Sequence, residues 1–503
     1  MYEVNFPKEV NILKTGKVYI VGAGPYMEDL ITLKGLNAIK TADVIIYDRL
    51  VNKNLLRLAK DEAIYVYCGK EPKNHTLSQD EIIKLMIDYA KKGFNVVRLK
   101  GGDPYIFGRG AEEAEKLFEN NISFEVIPGI SSFCSALTFA GIPITYRKLA
   151  REFHVFTGHT CNDEELNWNV ISKLDGTLIF LMSAENVENI SQKLISHGKE
   201  PKTLAAAVIN ATTGRQKVIS GYLEDFASGK FKNQVASPMV FVIGEVIRFR
   251  NKLSFYESLP LYGKRICITR PKSVSGNIKN LLLSLGADVV DGCCSRLVYH
   301  KEEIDKIISF LPEYDVLVFT SVNGVDSFFD YLIEKKIDIR NIKGDFAAIG
   351  KKTALALQKR GFGVKYIPDE HSSDGLIRIF KNEVDKSKKI LTVQSKIAGD
   401  YLKNALTSLG FEVDTIFAYS MEFTKNPNDA VYDSDIYVFT SSGMFRHFVE
   451  CYGTDMLFNK IVISIGEHTK KTLESFGIKS IACDEATDEG IANKILEVVK
   501  NGV

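Results

Sequence analysis

Only one tryptophan occurs in 503 residues, and the charges nearly cancel, with 64 Lys plus Arg against 63 Asp plus Glu. A net charge of +1 supplies no bulk pull on a phosphate backbone, and a single indole offers no stacking platform for bases, so no nucleic-acid partner is expected. No stretch approaches the ~20 uninterrupted apolar residues of a membrane span. The start, MYEVNFPKEVNILKTGK, also lacks the apolar core of a signal peptide. A cytoplasmic protein with no membrane partner is expected. The eight cysteines, at 68, 134, 161, 267, 293, 294, 451 and 483, include no C-x-x-C, and the eight histidines form no H-E-x-x-H. Zinc ribbons, iron–sulfur sites and disulfide scaffolds are thereby disfavoured, and no metal site is expected.

What is present is an ordinary globular composition, 45% hydrophobic and 25% charged, long enough for about three folding units. Short apolar runs such as VYIVGAG, DVIIYD, NVVRLKGGD, TLIFLM and PMVFVIGEV alternate with amphipathic segments such as Asp80 to Lys92. That alternation predicts an α/β fold with largely buried strands. The rhythm stops in NKLSFYESLPLYG before KRICITRP opens a new strand, which divides the chain into 1–255, a linker 256–263, and 264–503.

The second part contains an internal echo. DVLVFTSVNGVDSFFDYL (315–332) resembles DIYVFTSSGMFRHFVECY (435–452), AAIGKKTALALQKRGF (347–362) resembles ISIGEHTKKTLESFGI (463–478), and KRICITRPK more weakly resembles KKILTVQSK. A duplicated α/β unit follows, hence two similar lobes with a ligand cleft between them.

In the first part, Val18 to Val21 reads as a strand, and Gly22-Ala23-Gly24-Pro25 follows as a turn that admits a ligand close to the backbone. A Rossmann site requires a third glycine where this chain has Met27, although Asp43 and Asp48 stand where a ribose-binding acid would. On this turn alone a nicotinamide-dependent oxidoreductase stays open. A second turn, Gly101-Gly102-Asp103-Pro104, also follows a strand; its N–H groups suit a carboxylate or hydroxyl, and Asp103 suits an amine or ribose. A third, Pro128-Gly129-Ile130-Ser131-Ser132, sets two serines at a helix start, where they face a ligand or simply cap the helix. Three such turns argue for one small-molecule pocket at the strand ends.

These residues also carry a resemblance. VGAGP, DVIIYDRLV, RLKGGDPYIFGRGAEE, PGISS, AGIPITYR, TGH and SPMVFVIGEV, in that order, resemble uroporphyrinogen-III C-methyltransferases over roughly residues 14–250. GKRICITRP, FTSVNGV, AAIGKKTA, IFAYS and FTSSGMF resemble uroporphyrinogen-III synthases over roughly 262–503, so the whole chain is similar to the bifunctional fusion of the two. The resemblance implies a two-subdomain α/β domain of tetrapyrrole-methylase type followed by a bilobal, internally duplicated α/β synthase domain. It implies two methyl transfers from S-adenosylmethionine to uroporphyrinogen III, giving precorrin-2, a precursor from which other enzymes lead to sirohaem or cobalamin. A homodimer formed through the methyltransferase half is a further expectation of the resemblance.

The transfer needs a sulfonium aligned on an electron-rich pyrrole carbon and the removal of one proton. By resemblance Asp48 in YDRLV is the proton acceptor and Lys70 in CGKEP the donor; from the residues alone Asp48 reads as a strand-end cap or an ion pair with Arg49, and Lys70 as a solvated loop charge. The cofactor positions carried over are Pro25, Gly101, Gly102, Asp103, Ile106, Ser131, Ser132, Met182 and Ala211, with Met182 offering a polarizable thioether or else only strand core. The substrate bears eight carboxylates, for which guanidinium forks are the natural partners. Arg109 and Arg147 match substrate positions, with Glu112 beside Arg109 as partner or acid/base, though Arg109 and Glu112 also fit a plain i,i+3 surface pair. One departure stands out: where the family continues G-P-G-D-P-E-L-L-T, this chain has Gly24-Pro25-Tyr26-Met27-Glu28-Asp29-Leu30-Ile31-Thr32. The added bulk beside the pocket is expected to alter substrate affinity or the second methylation.

In the second half the resemblance implies dehydration and closure of hydroxymethylbilane to uroporphyrinogen III with inversion of ring D. Thr320-Ser321 and Thr440-Ser441 each end a strand and start a helix whose free N–H groups attract anions. Tyr419 matches the family's cleft tyrosine and is positioned to assist the departing hydroxyl, or is a core tyrosine. Ser321, Asn323, Thr440, Ser441 and Arg270 are the binding candidates. The resemblance further implies that the first strand and the C-terminal part form one lobe and the middle the other. The competing reading is a non-catalytic two-lobed ligand-binding module.

Overall fold

Among the described residues, four five-stranded sheets organise the chain, two in each half. The structure is a computed structural model that describes residues 15–60, 62–69, 77–158, 166–270, 277–370, 372–423 and 428–502. Lys70 and Cys161 lie outside the described residues.

The first sheet contains β1 (Val18–Gly22), β2 (Val44–Tyr47), β3 (Ile64–Tyr67), β4 (Val96–Lys100) and β5 (Phe124–Ile127). All run parallel in the order β3-β2-β4-β1-β5. Helical crossovers cover both faces, which is why VYIV and VII are almost wholly buried. The crossover Gln79–Lys91 begins with a Ser78/Glu81 capping box and turns Ile82, Ile83, Met86, Ile87 and Ala90 onto the sheet, as its amphipathic spacing predicts. The strand order reverses between β4 and β1, and their carboxyl ends open a crevice there.

The second sheet contains β6 (Phe153–Thr157), β7 (Thr177–Leu181), β8 (Leu204–Ile209), β9 (Lys217–Tyr222) and β10 (Met239–Ile243) in the order β6-β7-β10-β8-β9. It is mixed, with β10 antiparallel to both neighbours, so β7 and β8 end on the same edge. Helix Ser132–Phe139 leaves the first sheet's third glycine turn and buries Phe133, Ala136 and Leu137 among Ile179, Leu181, Val208 and Val240 of the second sheet. One helix thereby belongs to the pocket of one subdomain and the core of the other. Beyond β10, Tyr256 is buried against Phe139 and Tyr262, and Leu261 enters the core of the next unit. The segment 256–263 is therefore a packed connection.

The second half contains β11 (Arg265–Thr269) and β12 (Asp288–Asp291). Next come β13 (Ser295–Tyr299), β14 (Val316–Phe319), β15 (Asp345–Ala348), β16 (Lys389–Ser395) and β17 (Glu412–Phe423). Last are β18 (Ile436–Phe439), β19 (Ile461–Ser464) and β20 (Ile481–Ala482). One lobe has the order β12-β11-β18-β19-β20 and the other β13-β17-β16-β14-β15. The duplication read from the sequence is visible in space, since β11-β18-β19 and β16-β14-β15 are the matched strands in the same lateral order. The lobes are nevertheless not the two sequence repeats. Each takes its leading strand from one repeat and the next two from the other, because β11 pairs with β18 and β16 with β14. The lobes are thus composed as the resemblance implied, and the chain passes between them twice, after β12 and after β17.

Candidate active sites at the strand ends

The three glycine turns of the first sheet interlock. Gly24 and Gly102 exchange backbone hydrogen bonds, Gly24 N to Gly102 O at 3.2 Å and Gly102 N to Gly24 O at 2.8 Å. Both adopt left-handed φ, +70° and +68°, which only glycine takes without steric cost. A Cβ on Gly129 would stand 2.2 Å from Gly102 O, so the third turn is pressed against the second. Asp103 staples them further, with Oδ2 accepting from Gly129 N at 3.1 Å and Oδ1 from Tyr105 N at 2.8 Å. Among the described residues, a Cβ on Gly101 would touch only Leu50, at 3.5 Å. Helix Ser132–Phe139 begins without a side-chain cap from Ser131, so simple capping does not account for that serine. Pro25 follows the first turn and Ile106 the second, the latter 38% exposed beside exposed Tyr105 and Phe107.

The second subdomain brings Met182 and Ala211 to the same edge, one residue past β7 and two past β8. Met182 is 54% exposed and held at φ +52°, a conformation that a methionine adopts only under constraint. Its thioether is thus a presented group rather than strand core. Ala211 packs against the core shared by the two subdomains. A backbone cradle, small side chains and one soft sulfur form a donor set suited to a zwitterionic adenosyl ligand.

Asp48 ends β2, and its partner is not Arg49. Arg98 Nη2 donates to Asp48 Oδ1 at 2.5 Å, and Lys100 Nζ lies 4.0 Å from Oδ2. Both cations project from β4, the central strand, two residues apart and therefore on one face. Behind them Glu113 is fully buried and its Oε1 accepts from Arg98 Nε, Lys100 Nζ and Gln79 Nε2, each at 3.0 Å. The result is a neutral quartet of two carboxylates and two cations, with only Asp48 reaching solvent, 31% exposed. Although burial works against its charge, Arg98 is raised above the ordinary arginine range by Asp48 and Glu113. The Cys68 thiol, which donates to Asp48, is pushed up to about 12 by burial foremost. The sequence reading missed Arg98, Lys100 and Glu113. The available signal was a pair of cations at alternate positions in an otherwise apolar buried strand.

Arg109 and Glu112 form a two-pronged exposed pair, Nε to Oε1 at 2.9 Å and Nη2 to Oε2 at 2.7 Å, which lowers the Glu112 pKa. Arg147 is exposed in the Tyr146–Ala150 turn. Neither is drawn into the Asp48 quartet. The Tyr26-Met27-Glu28 turn faces the lobe of β11 and β12, where Glu28 meets Lys279 at 2.6 Å.

In the second half, Ser321 and Ser441 cap helices Val322–Glu334 and Ser442–Tyr452 through Gly324 N at 3.0 Å and Met444 N at 3.2 Å. Tyr419, on β17, donates its phenol to Ser321 Oγ at 2.8 Å, so these two predicted residues meet at one helix start. Asn323 lies in that helix's first turn. Thr440 and Arg270 belong to the other lobe. Thr440 donates to Thr269 O at 2.9 Å, and Arg270 is tied to Asp488 at the start of helix Asp488–Lys500. Burial works to raise the Asp488 pKa, but the Arg270 hydrogen bond, the Asn277 N–H and the Arg270 charge outweigh it, and the net shift is downward.

Fold and sites together define a class: two α/β subdomains with interlocked glycine turns at the strand ends of the first, joined to a bilobal unit with polar helix starts at its strand ends. Residues 17–227 match the family model for Tetrapyrrole (Corrin/Porphyrin) Methylases, and residues 277–493 match that for Uroporphyrinogen-III synthase HemD. A porphyrin biosynthesis protein HemD from Ruminiclostridium josui is 31% identical over 497 residues, 97% of this chain and 99% of that protein. A uroporphyrinogen-III C-methyltransferase from Bacillus subtilis is 45% identical over 245 residues, 48% of this chain and 95% of that protein. Among solved structures, uroporphyrin III C-methyl transferase from Thermus thermophilus aligns at 37% identity with a TM-score of 0.41, covering 46% of this chain and 99% of that one. The chain belongs to the HemD porphyrin-biosynthesis family in which a tetrapyrrole methylase precedes a uroporphyrinogen-III synthase.

Proposed function

We propose that the chain carries out two successive steps of tetrapyrrole synthesis. The second half closes hydroxymethylbilane to uroporphyrinogen III, and the first methylates that product twice, giving precorrin-2. The observation that carries the reading is the interlocked glycine cradle beside the Asp48 carboxylate, in a chain with a full-length HemD relative.

S-adenosylmethionine, when bound, supplies the electrophilic methyl group. The chain's own residues do the rest. Pro25, Gly101, Gly102, Ser131, Ser132 and Ala211 would hold the donor through backbone and small side chains, with Ile106 and Met182 as its apolar neighbours, while Asp103 rigidifies the floor. A methylated pyrrole ring must lose a proton from the macrocycle, and Asp48 accepts it. Arg98 orients that carboxylate from a buried position, while the carboxylate itself stays partly open to solvent. The donor role falls to Lys70. At the rim, Arg109 is a fork already shaped by Glu112, and a substrate carboxylate exchanges with Glu112 at that fork. Arg147 takes a second carboxylate.

In the synthase half, loss of water from hydroxymethylbilane leaves a cationic azafulvene, and the fold has to shape the chain for closure at ring D. The capped helix starts at Ser321 and Ser441, with Asn323, Thr440 and Arg270, hold the acidic arms, and Tyr419 assists the departing hydroxyl. The methyltransferase half is assigned to 1–255, the connection to 256–263 and the synthase to 264–503, with a homodimer formed through the first part in the cytoplasm. No helix among the described residues is long and apolar enough to cross a membrane.

The test supplies hydroxymethylbilane to the full chain with and without S-adenosylmethionine and follows absorbance and mass. A dimethylated product with donor and the type III isomer without it are expected. Type III isomer in both reactions refutes the methyltransferase, and type I isomer alone refutes the synthase.

A further inference from the structure

The departure at Tyr26-Met27-Glu28 has a partner. Glu28 is largely buried and its two carboxylate oxygens face opposite ways. Oε1 accepts from Asn54 Nδ2 at 2.6 Å, inside the methyltransferase, and Oε2 accepts from Lys279 Nζ at 2.6 Å, on helix Ile278–Ser284 of the synthase. Asn52, itself buried, donates to Tyr26 O at 2.8 Å, so the first glycine turn is bound to the segment that follows Asp48. Arg57, in the short helix Lys53–Leu58 of that same segment, is ion-paired with Asp291 at the end of β12.

A second loop of the methyltransferase docks on the same lobe. The loop after β8, which carries Ala211, brings Gly214 so close that a Cβ would stand 2.6 Å from Asp288 N. Its Arg215 donates to Asp433 O at 2.8 Å, and Tyr262 donates to Gln216 O. The phenol end of Tyr26 lies near the same Asp288, and burial there, with the carboxylate next, pushes its pKa up to about 12 against the opposing pull of Arg265. The start of β12 thus touches a loop from each methyltransferase subdomain. Both loops border the pocket, one leading from Pro25 and the other carrying Ala211. A wedge held by both subdomains fixes the angle between them, and with it the width of any pocket they share.

We propose that the synthase lobe of β11 and β12 is a positioning element of the methyltransferase: Lys279, acting through Glu28, clasps the loops that frame the methyl-donor pocket and sets donor affinity from the other domain. The inference rests on the reading of that pocket as the S-adenosylmethionine site. Lys279 is a positioning residue, since it reaches the pocket only through Glu28. By linkage, a ligand in the pocket in turn steadies the lobe.

Titration calorimetry of S-adenosylhomocysteine into the full chain tests this, with Lys279→Met, Lys279→Arg and Glu28→Gln alongside. Removing a partly buried ion pair that orders a binding loop is expected to weaken affinity about 3- to 10-fold. Lys279→Arg should restore it, and in Lys279→Met the donor KM should rise while methyl-transfer kcat and the rate of hydroxymethylbilane closure hold. A merely structural lysine would move melting temperature without that split. Affinities within twofold of wild type in both Lys279→Met and Glu28→Gln overturn the clasp. Absence of binding to the wild-type chain instead overturns the pocket assignment, and with it the clasp.

Discussion

Replacing Glu113 by glutamine removes one charge from the buried quartet while keeping its size and an acceptor oxygen. In the native chain Arg98 and Lys100, both almost wholly buried, are balanced by Glu113 and Asp48. The variant leaves the set with a net positive charge where water cannot solvate it. Taking one partner from a buried ion pair costs about 3–5 kcal/mol, and the retained amide oxygen puts Glu113→Gln near 3. With a urea m-value of about 3 kcal/mol/M for a unit of this size, the midpoint should fall by ~1 M. The assay is urea unfolding followed by far-ultraviolet circular dichroism and by the fluorescence of Trp168, the only tryptophan, which stacks on Phe180 within the methyltransferase half. Glu113→Gln/Lys100→Met restores neutrality and should recover at least half of the loss. A midpoint shift below ~0.3 M, or no recovery in the double variant, would refute the idea that charge balance holds this strand in place.

Three further outcomes follow from the same geometry. Asp48→Asn should lower methyl transfer by about 10²–10⁴-fold, with hydroxymethylbilane closure unchanged, as read by mass spectrometry of the products. Tyr419→Phe deletes the bond to Ser321 and should cost no more than ~1.5 kcal/mol of stability; closure should slow and the type I isomer should grow, as read by chromatography. For Asp488 the folded carboxyl has the lower pKa, so the unfolded chain takes up the proton first as pH falls. Its contribution is present above about pH 4 and lost below, and Asp488→Asn should flatten that limb of the stability–pH curve measured by chemical denaturation.

Legibility from sequence differed sharply between features. The glycine turns could be read because each follows an apolar run, and in the first two the left-handed residue demands glycine at a fixed place. That Gly129 abuts Gly102 was implied only as convergence on one pocket. The choice between adjacent Glu112 and Glu113 was not legible: it depends on the phase of the helix Gly110–Glu119, set by Arg109 in the left-handed conformation just before it. Sequence weight fell on Glu112, whereas Glu113 is the glutamate buried behind Asp48. The repeats in the second half were visible, yet matched strands can pair within or across repeats with equal chemistry, and pattern alone carries no preference. Tyr26 and Glu28 read as bulk beside a pocket because their partners, Lys279 and Asp288, lie some 250 residues away.

The exchange of strands between lobes sets a timetable for the nascent chain. The lobe that grips the methyltransferase begins with β11, but its central pairing partner, β18, comes 170 residues later, as the Arg265–Asp435 hydrogen bond at its edge records. At roughly 5–20 residues per second the ribosome needs about ten to thirty seconds to deliver that strand. Throughout that interval the methyltransferase half has left the ribosome while the lobe that clasps it lacks the middle of its sheet. A message truncated between β12 and β18 therefore yields a chain with both pocket loops present and no completed surface for them to dock against.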